Sequence, residues 1–300
     1  MGRLEEQIAK LKRQRNAVIL AHNYVCGEVQ DVADFVGDSL ELSIKARDAA
    51  APVIVFCGVS FMAETARILS PDSTVLHPVP SAGCPMADAA TAEAVRQYKA
   101  AHPDVVLVAY VNSTAAVKAE VDVCCTSANA KRIVAAIPAA QPIMFLPDRN
   151  LGANVARALG RKMELWPGFC PTHDRIKPED VKALRAKHPD AVVLVHPECT
   201  PAVVEMADHA LSTGGMLEFM RESTARTFIL GTECGVLHRA HKENPDKELI
   251  PLEPLPMCPN MKKITLESIV ESLESLTFRV ELDPGLMDRA RLPVERMLAS

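Results

Sequence analysis

No Cys-x-x-Cys pair occurs in this chain, although it holds nine cysteines, so no local motif announces a zinc or redox centre. No extended run of Lys and Arg occurs, and 33 basic against 38 acidic residues leave a net charge of −5. Nucleic acid and anionic membrane are therefore poor candidates as partners. The N-terminus is charged and amphipathic, with Leu4, Ile8 and Leu11 at helical spacing, and lacks an apolar signal-peptide core. The most apolar stretches, 105–111 and 133–147, are too short or too broken by Pro and Gln to span a bilayer. No Gly-x-Gly-x-x-Gly opens a helix and no P-loop appears. His196-Pro-Glu198 resembles the His-x-Glu of zinc deaminases, but no Pro-Cys-x-x-Cys follows it. The expected setting is the cytoplasm, where nine cysteines are free thiols available for packing, metal or catalysis.

What is present is a repeat. His102-Pro-Asp-Val-Val-Leu-Val-Ala-Tyr110 and His188-Pro-Asp-Ala-Val-Val-Leu-Val-His196 are nearly one segment, and Asn16-Ala-Val-Ile-Leu-Ala-His22 is a divergent earlier copy. Each reads as a strand buried on both faces. Similar helices and further apolar runs follow each copy, which implies parallel sheets built from right-handed crossovers. The expected fold is α/β: three homologous three-layer αβα, Rossmann-like units around a pseudo-threefold axis. The boundaries are 1–101 with an N-terminal helix, 102–187, and 188–300 with a C-terminal helical tail.

In this register His22, Tyr110 and His196 end equivalent strands, 88 and 86 positions apart. Tyr24, Asn112 and Glu198 share those offsets, as do Ser39, Ser127 and Thr213. Cys84, Cys170 and Cys258 are 86 and 88 apart, each followed by Pro. Ligands bind beyond the carboxyl ends of parallel strands, where all four triples fall. Three units around an axis would bring the cysteines together without a local motif.

Three thiolates with no fourth in register suit a [4Fe–4S] cluster, one per chain, with one iron not ligated by cysteine and able to act as a Lewis acid. The alternative is structural zinc, with His173 completing a Cys₃His set. A polar, strand-end setting favours the cluster. Ser39, Ser127 and Thr213 read as helix N-caps suited to anions. His22 and His196 read as cationic donors, and Tyr24 and Glu198 as acid and base. Cys124 and Cys125 lie in an expected short strand as packing residues. Cys26, Cys57, Cys199 and Cys234 break the register and are expected not to be ligands.

These residues lie within Ala21-His-Asn-Tyr24, Gly37-Asp-Ser39, Gly83-Cys-Pro-Met-Ala87, Tyr110-Val-Asn112, Trp166-Pro-Gly-Phe-Cys-Pro-Thr-His173, His196-Pro-Glu-Cys199, Ser212-Thr213 and Met257-Cys-Pro-Asn-Met261. In that order they resemble the quinolinate synthase family, the A protein of bacterial NAD biosynthesis, in its short form and over essentially the whole chain. The resemblance implies condensation of iminoaspartate with dihydroxyacetone phosphate to quinolinate, releasing phosphate and two waters, and a functional link to an iminoaspartate-producing enzyme. It implies Tyr24, Glu198 and His173 as catalytic residues and Cys84, Cys170 and Cys258 as cluster ligands. Substrate would meet His22, Ser39, Tyr110, Asn112, Ser127, His196 and Thr213. Other readings are a different [4Fe–4S] hydro-lyase acting on a small anion, or a zinc-stabilised, non-catalytic anion-binding protein.

Overall fold

The computed structural model describes residues 2–300. Twelve strands form three separate four-stranded sheets, all parallel within themselves. The first holds β1 (Ala17–His22), β2 (Phe35–Gly37), β3 (Val53–Cys57) and β4 (Thr74–Leu76). The second holds β5 (Val106–Tyr110), β6 (Val123–Cys125), β7 (Ile143–Leu146) and β8 (Glu164–Leu165). The third holds β9 (Val192–Val195), β10 (His209–Ala210), β11 (Thr227–Gly231) and β12 (Glu248–Pro251). The orders are β2-β1-β3-β4, β6-β5-β7-β8 and β10-β9-β11-β12, so one topology occurs three times.

Helices cover both faces of each sheet, which is why the central strands are apolar throughout rather than alternating. Ile19, Leu20, Ile54, Phe145, Val193 and Ile229 have no exposed surface. Cys124 and Cys125 are fully buried in β6.

A side-chain device also repeats. Asp34, Asp122 and Asp208 accept the backbone N–H of Ile19, Leu107 and Val193 at 2.7, 2.8 and 2.8 Å. Each is paired with a cation from the helix before its unit's first strand: Lys12 at 2.7 Å, Lys99 at 2.9 Å and Arg185 at 2.7 Å. One carboxylate thus joins the entering helix, the first strand and the turn leading to the edge strand.

The C-terminal tail does not stay with the third sheet. Helix Leu266–Ser275 packs on the N-terminal helix Arg3–Arg15, and Ile269 and Leu273 join the core around β1 and β3. Helix Pro284–Leu298 lies against β6, helix Ala115–Lys118 and helix Ser60–Leu69. Its Met297 carbonyl accepts from Asn129 Nδ2 at 3.1 Å. The tail braces the first two units against each other. No helix is long and apolar enough to cross a membrane among the described residues.

Asp122→Ala leaves the Leu107 N–H without its acceptor, a loss of about 1–3 kcal/mol. The urea midpoint should fall accordingly in the full chain; an unchanged midpoint would show that the repeated carboxylate is not structural.

Candidate active site

The loops beyond the strand ends of all three units enclose one cavity of about 310 Å³. It is lined by Cys84, Cys170 and Cys258, by Tyr24, His173 and Glu198, and by His22, Ser39, Tyr110, Asn112, Ser127, His196 and Thr213. Every residue singled out from the sequence register therefore faces the same space. That volume suits a small metabolite.

Each cysteine sits at the start of a helical turn. Pro85 and Pro171 occupy the first helical position, where a missing N–H costs nothing. The free N–H groups that follow point back at the sulfur: Ala87 and Met86 at Cys84, His173 at Cys170, and Met261 and Asn260 at Cys258. Burial pushes all three thiols up, Cys84 to about 12, while these N–H groups pull the other way. The donor set fits a thiolate-bound metal group, since N–H donors aimed at sulfur stabilise the deprotonated ligand. The ligand atoms of Cys170, His173 and Glu198 lie within 4.8 Å of one another, close enough for a metal ion.

Glu198 is the hub. Its Oε1 accepts Tyr110 O–H at 2.6 Å and Asn112 Nδ2–H at 3.3 Å, and its Oε2 lies 2.7 Å from His173 Nδ1. Burial disfavours the charge, but His196 and His173 beside the carboxylate and the hydrogen bonds to it hold its pKa well below the usual range. Burial, and then the Glu198 charge, raise Tyr24 and Tyr110 far above an ordinary phenol. Both remain protonated donors.

A longer chain runs on from Glu198. His173 gives its Nδ1–H to Glu198, and its Nε2 lies 3.0 Å from Thr232 Oγ1. Thr232 Oγ1 in turn lies 2.8 Å from the Tyr24 hydroxyl. The order is Tyr24, Thr232, His173, Glu198, with Tyr110 donating from the far side. The sequence register did not single out Thr232; its counterparts in the other units are Gly58 and Pro147, so no repeated residue type marks it.

Two expectations change. His22 and His196 are not cationic at neutral pH. Their Nδ1 atoms accept the backbone N–H of Tyr24 at 3.2 Å and Glu198 at 3.3 Å, which leaves Nε2–H as the only donor. Burial lowers their pKa values to about 4 and about 3. The helix caps are also displaced. Asp38 caps helix Ser39–Asp48 and Ser212 caps helix Thr213–Glu222, while Asn129 precedes helix Ala130–Ala136. A carboxylate one residue earlier is the better acceptor, so Ser39 becomes the first helical residue. Ser212 Oγ also donates to Asp38 Oδ2 at 2.9 Å, tying the first unit to the third. Asn112 Oδ1 is buried without a protein partner.

Gly235 is required by close approach: a Cβ there would stand 2.7 Å from Tyr24 Cα. The third unit thereby presses directly on the backbone that carries Tyr24.

Buried acid–base groups beside thiols, at the carboxyl ends of parallel sheets, define an α/β enzyme acting on a small molecule. Comparison with known proteins narrows the class. The family model for quinolinate synthetase A protein matches residues 6–299, and the chain belongs to that family. Proteins named quinolinate synthase from Geobacter sp. (strain M21) and Geobacter metallireducens are 52% and 51% identical to it over 296 residues, covering 99% of this chain and 97% of each relative. The one from Thermodesulfovibrio yellowstonii is 51% identical over 299 residues, covering 99% and 98%.

The histidines give a pH signature. Unfolded, each takes a proton near pH 6.5; folded, only near 4 and 3. The unfolded state binds more protons in that window, so stability is complete above about pH 6.5 and falls as pH drops toward 4. At about pH 5 each histidine accounts for ~2 kcal/mol of the loss. His22→Gln and His196→Gln should each flatten the fall in thermal midpoint between about pH 7 and 5; unchanged slopes in both would contradict their neutral state.

Proposed function

We propose that this chain condenses iminoaspartate with dihydroxyacetone phosphate to quinolinate, releasing phosphate and two waters, as a step of NAD biosynthesis. The observation that carries this is the meeting of three in-register cysteines and an acid–base chain in one cavity, in a member of this family. Cys84, Cys170 and Cys258 would hold one [4Fe–4S] cluster, leaving one iron without a cysteine. When bound, the cluster supplies a Lewis-acidic iron that assists loss of hydroxide from carbon.

Two features support a cluster over the Cys₃His zinc alternative. Tetrahedral zinc, with Zn–S near ~2.3 Å, requires its ligand atoms within about 4 Å of one another. Neither Cys84 nor Cys258 belongs to the compact group of Cys170, His173 and Glu198. A cluster distributes its thiolates over separate irons and needs no such crowding. His173 is moreover engaged at both nitrogens, with Glu198 and Thr232.

The chain's own residues supply the rest. The two carboxylates and the phosphate meet neutral Nε2–H donors from His22 and His196 and hydroxyls of Ser39, Ser127 and Thr213. Asn112 Oδ1 is a free acceptor for a substrate N–H or O–H. Tyr24 accepts a substrate proton as its own passes to Thr232, from Thr232 to His173 Nε2, and from His173 Nδ1 to Glu198. Glu198 is then an acid able to protonate a departing hydroxyl as water. Tyr110 holds Glu198 in place and lines the cavity. An enzyme that releases iminoaspartate is the required supplier, and the cytoplasm is the setting we infer.

Anaerobically prepared protein given both substrates should form quinolinate. Glu198→Gln should lower kcat about 10²–10⁴-fold with iron content unchanged. Thr232→Val should also be slow, and Thr232→Ser should recover most of the rate. No quinolinate from iron-loaded protein, or undiminished turnover in Glu198→Gln, would overturn the reading.

A further inference from the structure

The repeat register extends past the strand ends. Ala21, Ala109 and Val195 are equivalent, and they pair with Cys57, Leu146 and Gly231 on the neighbouring strands. Two residues further on stand Val59, Asp148 and Glu233. Both carboxylates are fully buried, and neither belongs to the acid–base chain.

Glu233 is engaged with a cysteine loop. Glu233 Oε1 accepts the backbone N–H of Cys258 at 3.0 Å, and its Oε2 accepts Gly235 N–H at 2.6 Å. Lys262 lies 2.8 Å from Glu233 Oε1 and also donates to the Tyr24 carbonyl at 2.5 Å. Asp148 Oδ1 accepts Leu151 N–H at 2.8 Å, while its Oδ2 is buried without a partner. The adjacent Asn150 Nδ2 donates to the Glu198 carbonyl at 3.2 Å. In the third unit, then, a buried carboxylate grips the cysteine backbone, and in both units a neighbouring side chain reaches the backbone of an acid–base residue in the next unit. Val59 offers the Cys84 loop no such acceptor.

We propose that Glu233 is the positioning residue of Cys258. As an account of cofactor retention this rests on the three cysteines being the ligands; as an account of loop position it does not. A backbone N–H accepted by a buried carboxylate that is itself paired with Lys262 is a charge-assisted bond, so it fixes the start of the turn from which the Cys258 sulfur projects.

The three thiols are half-buried, whereas Cys57, Cys124, Cys125 and Cys199 are fully buried and serve as internal controls. The test is iodoacetamide labelling of metal-free, full-length protein, read residue by residue by mass spectrometry, together with iron release to a chelator from iron-loaded protein. Glu233→Gln should speed labelling of Cys258 and leave Cys84 and Cys170 unchanged. The loaded variant should lose iron about tenfold faster than the parent. Equal acceleration at all cysteines, controls included, would mean general destabilisation and would overturn the proposal, as would no change at Cys258. If the cognate pattern appears in a parent protein that binds no iron, the positioning stands and the ligand assignment fails.

Discussion

Glu198 carries its charge almost wholly out of contact with water, and the donors that make this tolerable come from the second unit, not from its own. An unpaired buried carboxylate would cost several kcal/mol. Tyr110, Asn112 and His173 must therefore close on it for the second and third units to pack as they do. The same bonds settle the rest of the site. They orient the His173 ring, and through its other nitrogen and Thr232 they connect Glu198 to Tyr24 in the first unit.

Repetition of one topology explains how a chain without a local metal motif assembles a metal-capable cavity. Three parallel sheets bring equivalent strand ends to one place, and equivalence of position is then used for different chemistry. His22, Tyr110 and His196 share a register, yet two are neutral imidazole donors and the third is a phenol bound to Glu198. Gly58, Pro147 and Thr232 share another, and only the hydroxyl completes the acid–base chain. Of the four triples at the strand ends, only the cysteines keep one residue type in all three copies, consistent with a role in which three equivalent ligands are needed.

Much of this could be read from the sequence because strand ends are marked by abrupt changes from β-branched residues to polar ones. That signal located His22, Tyr110, His196 and the residues two positions on, and the Cys-Pro pairs marked themselves. Thr232 and Glu233 stayed hidden, since Gly58, Pro147 and Val59 at the equivalent places share nothing with them chemically. The helix caps were displaced by one because Asp38 and Ser212 compete better for the first free N–H groups than the residues that follow them. The charge state of His22 and His196 depends on complete burial, which spacing does not report. The sequence placed a helical tail after the third unit, but not that helices Leu266–Ser275 and Pro284–Leu298 pack on the first and second units.

The central claim is that the three cysteines form one ligand set because the fold makes them equivalent. Iron content of anaerobically prepared single variants tests it most directly. Cys84→Ala, Cys170→Ala and Cys258→Ala should each lose the roughly four irons per chain of the parent protein, while Cys124→Ala and Cys125→Ala retain them. Full iron in any of the first three, or a parent protein holding a single zinc, would contradict the account.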